Sequence, residues 1–315
     1  MKKLILFCML LTLCLHMGSC GLDDGIPEKD GITIVTTNFF LYDTARTLAR
    51  PEDEVIMLIS PGAESHDFEL TLADMAKIET CDLFAYVGGE GEGWVYDALA
   101  AFGENGIDIP AFCAMESVEE AGTLYHSAGE HDHDHGEHEH NHWEGIDDHV
   151  WLSVPNAMVI HEAMLDTLKG YYEDWTPDES VKYALTMLDE KIRALTASAE
   201  NPEILVADRF PFMYLTEEYG IAYTAAFEGC TSDTEASLET VHMLIGRAEA
   251  LGQGVLLVTE LSDCRTAEAI RAQVPGLEMA ELHSCHNVTK EDFDAGVTYI
   301  DLMERNCAVL EKLWK

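Results

Sequence analysis

Basic residues are scarce in this sequence of 315 residues. It holds 18 lysines and arginines against 59 aspartates and glutamates, which gives a formal net charge of −41 at pH 7. Nucleic acids and anionic membrane surfaces would be repelled by such a chain, so both are excluded as partners. The acidic excess is compatible with gathering cations, although a surface that is acidic only for solubility gives the same charge.

Long apolar runs are absent after the start of the chain, and no later stretch approaches the roughly 20 residues needed to cross a bilayer. Residues 1–19 have Lys2 and Lys3, a short apolar run and then small residues, the pattern of a secretory leader. The leader ends in Met-Gly-Ser-Cys20, which resembles a bacterial lipobox. We expect an exported protein that is lipidated at Cys20 and held at the outer face of the cytoplasmic membrane. A plain signal peptide would instead leave Cys20 an ordinary thiol in a periplasmic protein.

Several catalytic and structural motifs are also missing. No predicted helix carries HExxH, since His161-Glu162 is followed by Ala-Met-Leu, and there is no Gly-x-Ser-x-Gly elbow. The cysteines after Cys20 form no CxxC pair, so a structural zinc knuckle is not indicated. An even number of cysteines in an exported protein favours disulfides. We expect pairing within each half of the chain, among Cys81 and Cys113 early and Cys230, Cys264, Cys285 and Cys307 late.

Strand and helix patterns alternate at both ends of the chain. Strand signals at 31–37, 54–59 and 83–87 are separated by helical patterns, and a second such series starts at 203. Residues 155–199 show helical apolar spacing with no strand signal. This order predicts an α/β fold of two lobes, each a mostly parallel sheet flanked by helices, joined by a long rigid linker helix. The predicted segments are a leader 1–19, an anchor linker 20–30, a first lobe 31–155, a helical linker 156–200 and a second lobe 201–315.

Residues 126–142 form a histidine-rich loop in the first lobe. Its imidazoles alternate with carboxylates, and so polar a stretch cannot bury enough apolar surface to form a packed core. Because neutral imidazole is the commonest zinc ligand, a short His-rich tract predicts metal binding. The collecting residues would be His131, His133, His135, His138, His140 and His142.

Ligands of open α/β sheets bind beyond the carboxyl ends of the strands. An isolated histidine there is more often a surface or core residue than a ligand. Several lie at predicted strand ends of both lobes, however, and this clustering favours metal ligation. The polar residues at such positions are His66, His149, Asp208, Arg209, Cys230, Glu235, Glu260, His283 and His286.

Four stretches resemble one known family, the cluster A substrate-binding lipoproteins of bacterial zinc and manganese ABC importers. They are Gly-Ala-Glu-Ser-His-Asp-Phe-Glu at 62–69, Asp-His-Val-Trp-Leu-Ser-Val-Pro-Asn-Ala at 148–157, Glu-Tyr-Gly-Ile at 218–221 and Thr-Tyr-Ile-Asp-Leu-Met-Glu-Arg-Asn at 298–306. The resemblance covers nearly the whole mature chain. It implies one metal in the cleft between the lobes, with His66 and His149 as ligands from the first lobe. The His-rich loop resembles the zinc branch.

The second lobe departs from that pattern. Where the family has a histidine or glutamate before the Tyr-Gly motif, this chain has Arg209 or, on another anchoring, Ala207, and neither can donate a lone pair to a metal. Asp208 could reach a metal or pair with Arg209. The family's final acidic ligand would correspond to His283. The expected set is therefore His66, His149 and His283 with Asp208 or water, and the second-rank candidates are Glu235, Cys230 and His286.

Three imidazoles with one oxygen suit tetrahedral Zn²⁺ and suit Mg²⁺ or Ca²⁺ poorly, while Cu²⁺ and Ni²⁺ would also bind. The resulting hypothesis is a monomeric binding protein, not an enzyme. It would capture Zn²⁺, with Mn²⁺ as the other cargo, and deliver it to an ABC-type permease. The alternatives are a zinc buffer or metal-responsive adhesin without transport, and an exported zinc hydrolase with Asp208 or Glu235 as its base.

Overall fold

The structure is a computed structural model. The structure describes residues 31–64, 68–124, 145–172, 175–227, 229, 236–252 and 254–315. Residues Gly31–Lys315 form one compact unit that contains two four-stranded sheets. The strands are β1 (Thr33–Thr36), β2 (Glu54–Met57), β3 (Leu83–Tyr86), β4 (Ala111–Cys113), β5 (Glu203–Val206), β6 (Ala222–Ala225), β7 (Val255–Val258) and β8 (Glu278–Glu281).

Helices cover both sheets and connect them. In the first lobe these are α1 (Phe39–Leu48), α2 (Leu72–Thr80), α3 (Gly93–Glu104) and α4 (Ala114–Ala121). After a 3₁₀ turn (Val150–Leu152), α5 (Val154–Lys169) and α6 (Ser180–Ser198) lead to the second lobe. That lobe contains α7 (Met213–Tyr219), α8 (Leu238–Leu251), α9 (Arg265–Arg271), α10 (Lys290–Asp294) and α11 (Tyr299–Leu313). The α/β prediction is confirmed, and the segment predicted as the helical linker contains α5 and α6.

The two sheets repeat one topology, with strand orders β2-β1-β3-β4 and β6-β5-β7-β8. Every strand pair in the described part of the chain is parallel. Strands β3, β5 and β7 are buried along their whole length, and their sequences are apolar except for Glu203 at the start of β5, whose carboxylate accepts from Arg247. Parallel strands end at a common edge, so the loops that follow β2 and β8 are available for a site at that edge of their sheets.

The two lobes share one hydrophobic core around Trp151. This buried indole stacks on Phe40, with 5.8 Å between ring centroids, and donates from Nε1 to the carbonyl of Ser284 at 2.7 Å. Tyr299 packs edge-on to Phe40 and donates from its hydroxyl to the carbonyl of Trp151 at 2.7 Å. Two first-lobe amides also donate to the segment that follows β8: Phe39 to the carbonyl of His286 at 2.9 Å, and Gly62 to that of Val288 at 2.7 Å. The segment after β8 is therefore fixed against the first lobe.

The disulfide prediction is wrong for the cysteines that the structure describes, because all five are free thiols: Cys81, Cys113, Cys264, Cys285 and Cys307. Burial raises the pKa of the Cys81, Cys113 and Cys307 thiols to about 11, so they behave as small apolar core groups. Cys230 lies outside the described residues. Among the described ranges, we find no helix with both the length and the apolar character that crossing a bilayer requires.

Candidate metal site

His149 lies just before the 3₁₀ turn, where it is 2% exposed and oriented by two carboxylates. Its Nδ1 is 3.0 Å from Oδ1 of Asp148 and 3.2 Å from Oδ1 of Asp147, which also accepts the His149 amide at 2.9 Å. These distances fit hydrogen bonds from a protonated Nδ1, because an ionised carboxylate can only accept. With the proton on Nδ1, Nε2 carries the lone pair that a metal requires. Carboxylates commonly orient metal-binding histidines in this way.

His286 faces His149 from the other lobe. The two imidazole rings are 5.4 Å apart between centroids and nearly perpendicular, at 81°. Two imidazoles bound to one tetrahedral zinc, with Zn–N of about 2.0–2.1 Å, would have centroids roughly 5.2 Å apart. Both rings also contact Trp151, at 5.3 Å between centroids in each case. The spacing of the two rings therefore fits a shared metal.

A cavity of about 40 Å³ lies at this position, lined by His149 and His286 together with Glu64, Arg209 and Glu260. Glu260 follows β7, and its carboxylate accepts the Ser284 amide at 2.7 Å and the Ser284 hydroxyl. The Ser284 hydroxyl oxygen in turn accepts the His286 amide at 3.2 Å. Each carboxylate oxygen has a second lone pair, so Glu260 could also donate to a cation in the cavity.

The structure places His286 at the cavity and His283 away from it. His283 is 3% exposed and is not among the residues lining the cleft cavity. Its Nδ1 accepts the Cys285 amide at 2.9 Å, so the neutral ring carries its proton on Nε2 and has no second lone pair to offer. Asn306 fixes its backbone, accepting the His283 amide at 2.7 Å and donating to its carbonyl at 2.8 Å. His283 therefore supports the turn that positions His286.

The side chains of Asp208 and Arg209 contact other partners, although the sequence also allowed them to pair with each other. Asp208 accepts from the Thr259 hydroxyl at 3.0 Å and from the amide of Arg209 at 2.9 Å. It lines a neighbouring cavity of about 180 Å³, whereas His149 and His286 do not. The Arg209 guanidinium pairs with Glu64 of the first lobe, 3.1 Å away. Asp208 is thus held behind the site by Thr259.

Several predicted residues lie outside the described residues, and they remain predictions: Cys20, His66, Cys230, Glu235 and the loop histidines His131, His133, His135, His138, His140 and His142. The loop that leads to His66 is fixed nonetheless, because Asn287 donates from Nδ2 to the carbonyls of Ser60 at 2.9 Å and Ala63 at 2.7 Å. The sequence placed Glu260 at a strand end but outside the expected ligand set, and the orienting role of Asp147 and Asp148 was not predicted. The Asp-Asp-His run was the available signal for that role.

Replacing Asp148 by asparagine is expected to weaken metal binding by His149 by ~10-fold or more, because an amide no longer holds the Nδ1 proton as a carboxylate does. The measurement is Zn²⁺ affinity by competition with a chromophoric chelator. Asp166→Asn, at an exposed aspartate of α5, is the control for loss of one charge. An unchanged affinity in Asp148→Asn would show that this carboxylate does not orient the ligand.

The sequence is similar to those of known zinc-uptake proteins. The family described as ZnuA, zinc-uptake complex component A periplasmic, matches residues 34–313. The chain is similar to the high-affinity zinc uptake system protein ZnuA of Bacillus subtilis, with 30% identity over 319 residues that cover 96% of this chain and 93% of the relative. It is 28% identical to the zinc-binding lipoprotein AdcA of Streptococcus pneumoniae over 99% of its own length but 61% of that protein.

Solved protein structures share this fold. The Zn(II)-bound ZnuA-like domain of Streptococcus pneumoniae AdcA matches with a TM-score of 0.70 at 24% identity, over 90% of this chain and 99% of that one. The laminin-binding protein Lmb of Streptococcus agalactiae, described as having adhesin and metal transporting activity, matches with a TM-score of 0.71 at 18% identity, over 90% of this chain and 100% of that one. At these identities, the likeness establishes a shared fold.

Proposed function

The chain belongs to the periplasmic zinc-uptake component A family, and on that premise we propose that it captures Zn²⁺ outside the cytoplasm for uptake by an ABC-type permease. The observation that supports this most directly is the pair of imidazoles from opposite lobes, His149 and His286, with 5.4 Å between ring centroids. The segment that carries His286 is bonded to the first lobe through the Phe39 amide, so the two imidazoles are held together where an ion could bind both.

The ligand set that we propose is His66 and His149 from the first lobe and His286 from the second, with Glu260 or water as the fourth ligand. The three imidazoles and one oxygen match the tetrahedral preference of Zn²⁺. An all-oxygen site would be expected for Mg²⁺ or Ca²⁺. Imidazole-rich sites also favour Zn²⁺ over Mn²⁺, because zinc lies later in the series of intrinsic affinities.

The same proposal places the protein at the outer face of the cytoplasmic membrane, attached through a lipid on Cys20, and has it act there as a monomer. The AdcA relative is described as a lipoprotein, which supports the lipidation expected from Met-Gly-Ser-Cys20. A hydrolytic role is less well supported. Asp208, the described candidate base, is bonded to the Thr259 hydroxyl and the Arg209 amide rather than standing at the cavity of His149.

The test of this function is a Zn²⁺ titration of the mature protein, compared with a variant that lacks residues 126–142. We expect one tight site that survives the deletion, because His149 and His286 lie outside the loop, together with loss of weaker sites contributed by the loop histidines. A parallel titration with Mn²⁺ shows which of the two ions the site binds more tightly. If the deletion removes all tight Zn²⁺ binding, the cleft is not the capture site and zinc buffering by the loop becomes the better account.

A further inference from the structure

Arg209 and Glu64 form an ion pair across the metal cleft. Arg209 follows β5 of the second lobe, and Glu64 lies in the loop that follows β2 of the first lobe. The guanidinium Nη1 is 3.1 Å from Oε1 of the carboxylate. Both residues line the cavity that is also lined by His149 and His286, so any ion bound there would feel both charges.

A guanidinium is an unusual neighbour for a dication. It stays protonated at every physiological pH, so it cannot become a ligand and always repels a bound cation. Its side chain is 20% exposed, and the charge is therefore only partly screened by solvent. The other charged groups at the site are carboxylates: Glu64 and Glu260 at the cavity, and Asp147 and Asp148 behind His149. Arg209 is thus the one cation among the described residues that line this cavity.

We infer that Arg209 and Glu64 set the Zn²⁺ affinity of the cleft in opposite directions. Arg209 lowers the affinity of a site rich in carboxylates and imidazoles, which favours release of the ion, and Glu64 offsets part of that repulsion. This inference rests on the proposed function, because it assigns these residues to the same zinc site. It makes Arg209 a residue that determines affinity without touching the metal.

A purely structural role for this ion pair predicts different changes in Zn²⁺ affinity. If the pair only held the lobes together, removal of either partner would break the same 3.1 Å contact and change binding in the same direction. If it acts by charge, removal of the cation strengthens binding and removal of the anion weakens it. The sign of the two effects therefore distinguishes the explanations.

The experiment compares Zn²⁺ affinity, by chelator competition, in the mature protein and its Arg209→Gln, Glu64→Gln and doubly substituted variants. We expect binding ~10-fold tighter in Arg209→Gln, ~10-fold weaker in Glu64→Gln and near the original value in the double variant. Lys312→Gln and Glu278→Gln provide the matched controls. They remove the same charges from an exposed pair of the second lobe, 2.6 Å apart, which does not line the cavity.

Three results would count against the inference. Weaker binding in both single variants would show that the pair is a mechanical contact between the lobes. Unchanged binding in both would show that the zinc site does not sense these charges, and equal shifts in the Lys312 and Glu278 controls would show only an effect of net charge. Failure of the unsubstituted protein to bind Zn²⁺ tightly would instead overturn the proposed function.

Discussion

Replacing His286 by asparagine is expected to weaken Zn²⁺ binding in the cleft ~100-fold or more, whereas the same replacement of His283 should leave the affinity within a few fold of the original. Loss of an outer-shell partner alone typically costs ~10–100-fold in metal affinity, so loss of a ligand should cost at least the upper value. His286 lies 5.4 Å from His149 between ring centroids, but the Nδ1 of His283 already accepts the Cys285 amide at 2.9 Å.

Asparagine is the replacement that separates the role of a ligand from the role of a hydrogen-bond acceptor. Its Oδ1 lies near the position of a histidine Nδ1, so His283→Asn can still accept the Cys285 amide and keep the turn that carries His286. Chelator competition gives the two affinities, and the absorption spectrum of bound Co²⁺ reports whether a four-coordinate nitrogen-rich site survives in each. A large loss in His283→Asn with little change in His286→Asn would reverse our assignment of the second-lobe ligand.

The second large effect concerns the buried carboxyl of Glu92 and the pH dependence of folding stability. Glu92 is 5% exposed, and its Oε2 accepts the amides of Val87 at 2.7 Å and Gly88 at 3.0 Å. Burial raises the pKa of this carboxyl to about 7, above its ordinary value of 4.5. Between pH 4.5 and about pH 7, the folded state therefore holds a proton that the unfolded state has lost. The contribution of this proton to folding stability is fully present below pH 4.5 and is lost as pH rises through about 7. The change amounts to roughly 3 kcal/mol.

Glu92→Gln removes this titration. We expect the variant to become more stable relative to the original protein as pH rises, with its free energy of unfolding increasing by roughly 3 kcal/mol relative to the original between pH 4.5 and pH 8. Urea unfolding at a series of pH values in a metal chelator measures the difference. Glu104→Gln, at an exposed glutamate of α3, is the matched control. Parallel stability profiles for Glu92→Gln and the original protein would mean that Glu92 is ionised in the folded state throughout this range.

The glycine cluster around Glu92 shows how far local sequence can be interpreted. Residues 88–93 superficially resemble a phosphate-binding loop, but two acids and the absence of Lys-Ser/Thr argue against nucleotide binding. In the structure, two of the backbone amides that could bind an outside anion bind the carboxylate of Glu92 instead. Gly89 has a φ of 85°, and a side chain there would collide with Asp148, whose Cβ would lie 2.7 Å from the added Cβ. These glycines therefore pack the first lobe against the carboxylate that orients His149.

The sequence by itself determined the class of fold, the order of its two βα series and the kind of ligand chemistry. Apolar runs such as those of β3 and β7 predict strands buried on both faces, because such strands have few polar residues along their length. His149 was identifiable because the Asp-Asp-His run and the apolar segment after it are contiguous. These features depend on neighbours along the chain, which a sequence displays directly.

Our proposal of His286 rather than His283 as a ligand depends on the tertiary structure alone. They are three residues apart beyond the same strand, and local pattern does not distinguish them. The choice depends on distant partners: Asn306 fixes the backbone of His283, Trp151 bonds to Ser284, and the Phe39 amide bonds to the carbonyl of His286. The pairing of Arg209 with Glu64 likewise joins residues from separate lobes. Side-chain direction in a turn is set by such long-range contacts, and for that reason the second half of the site required the folded protein.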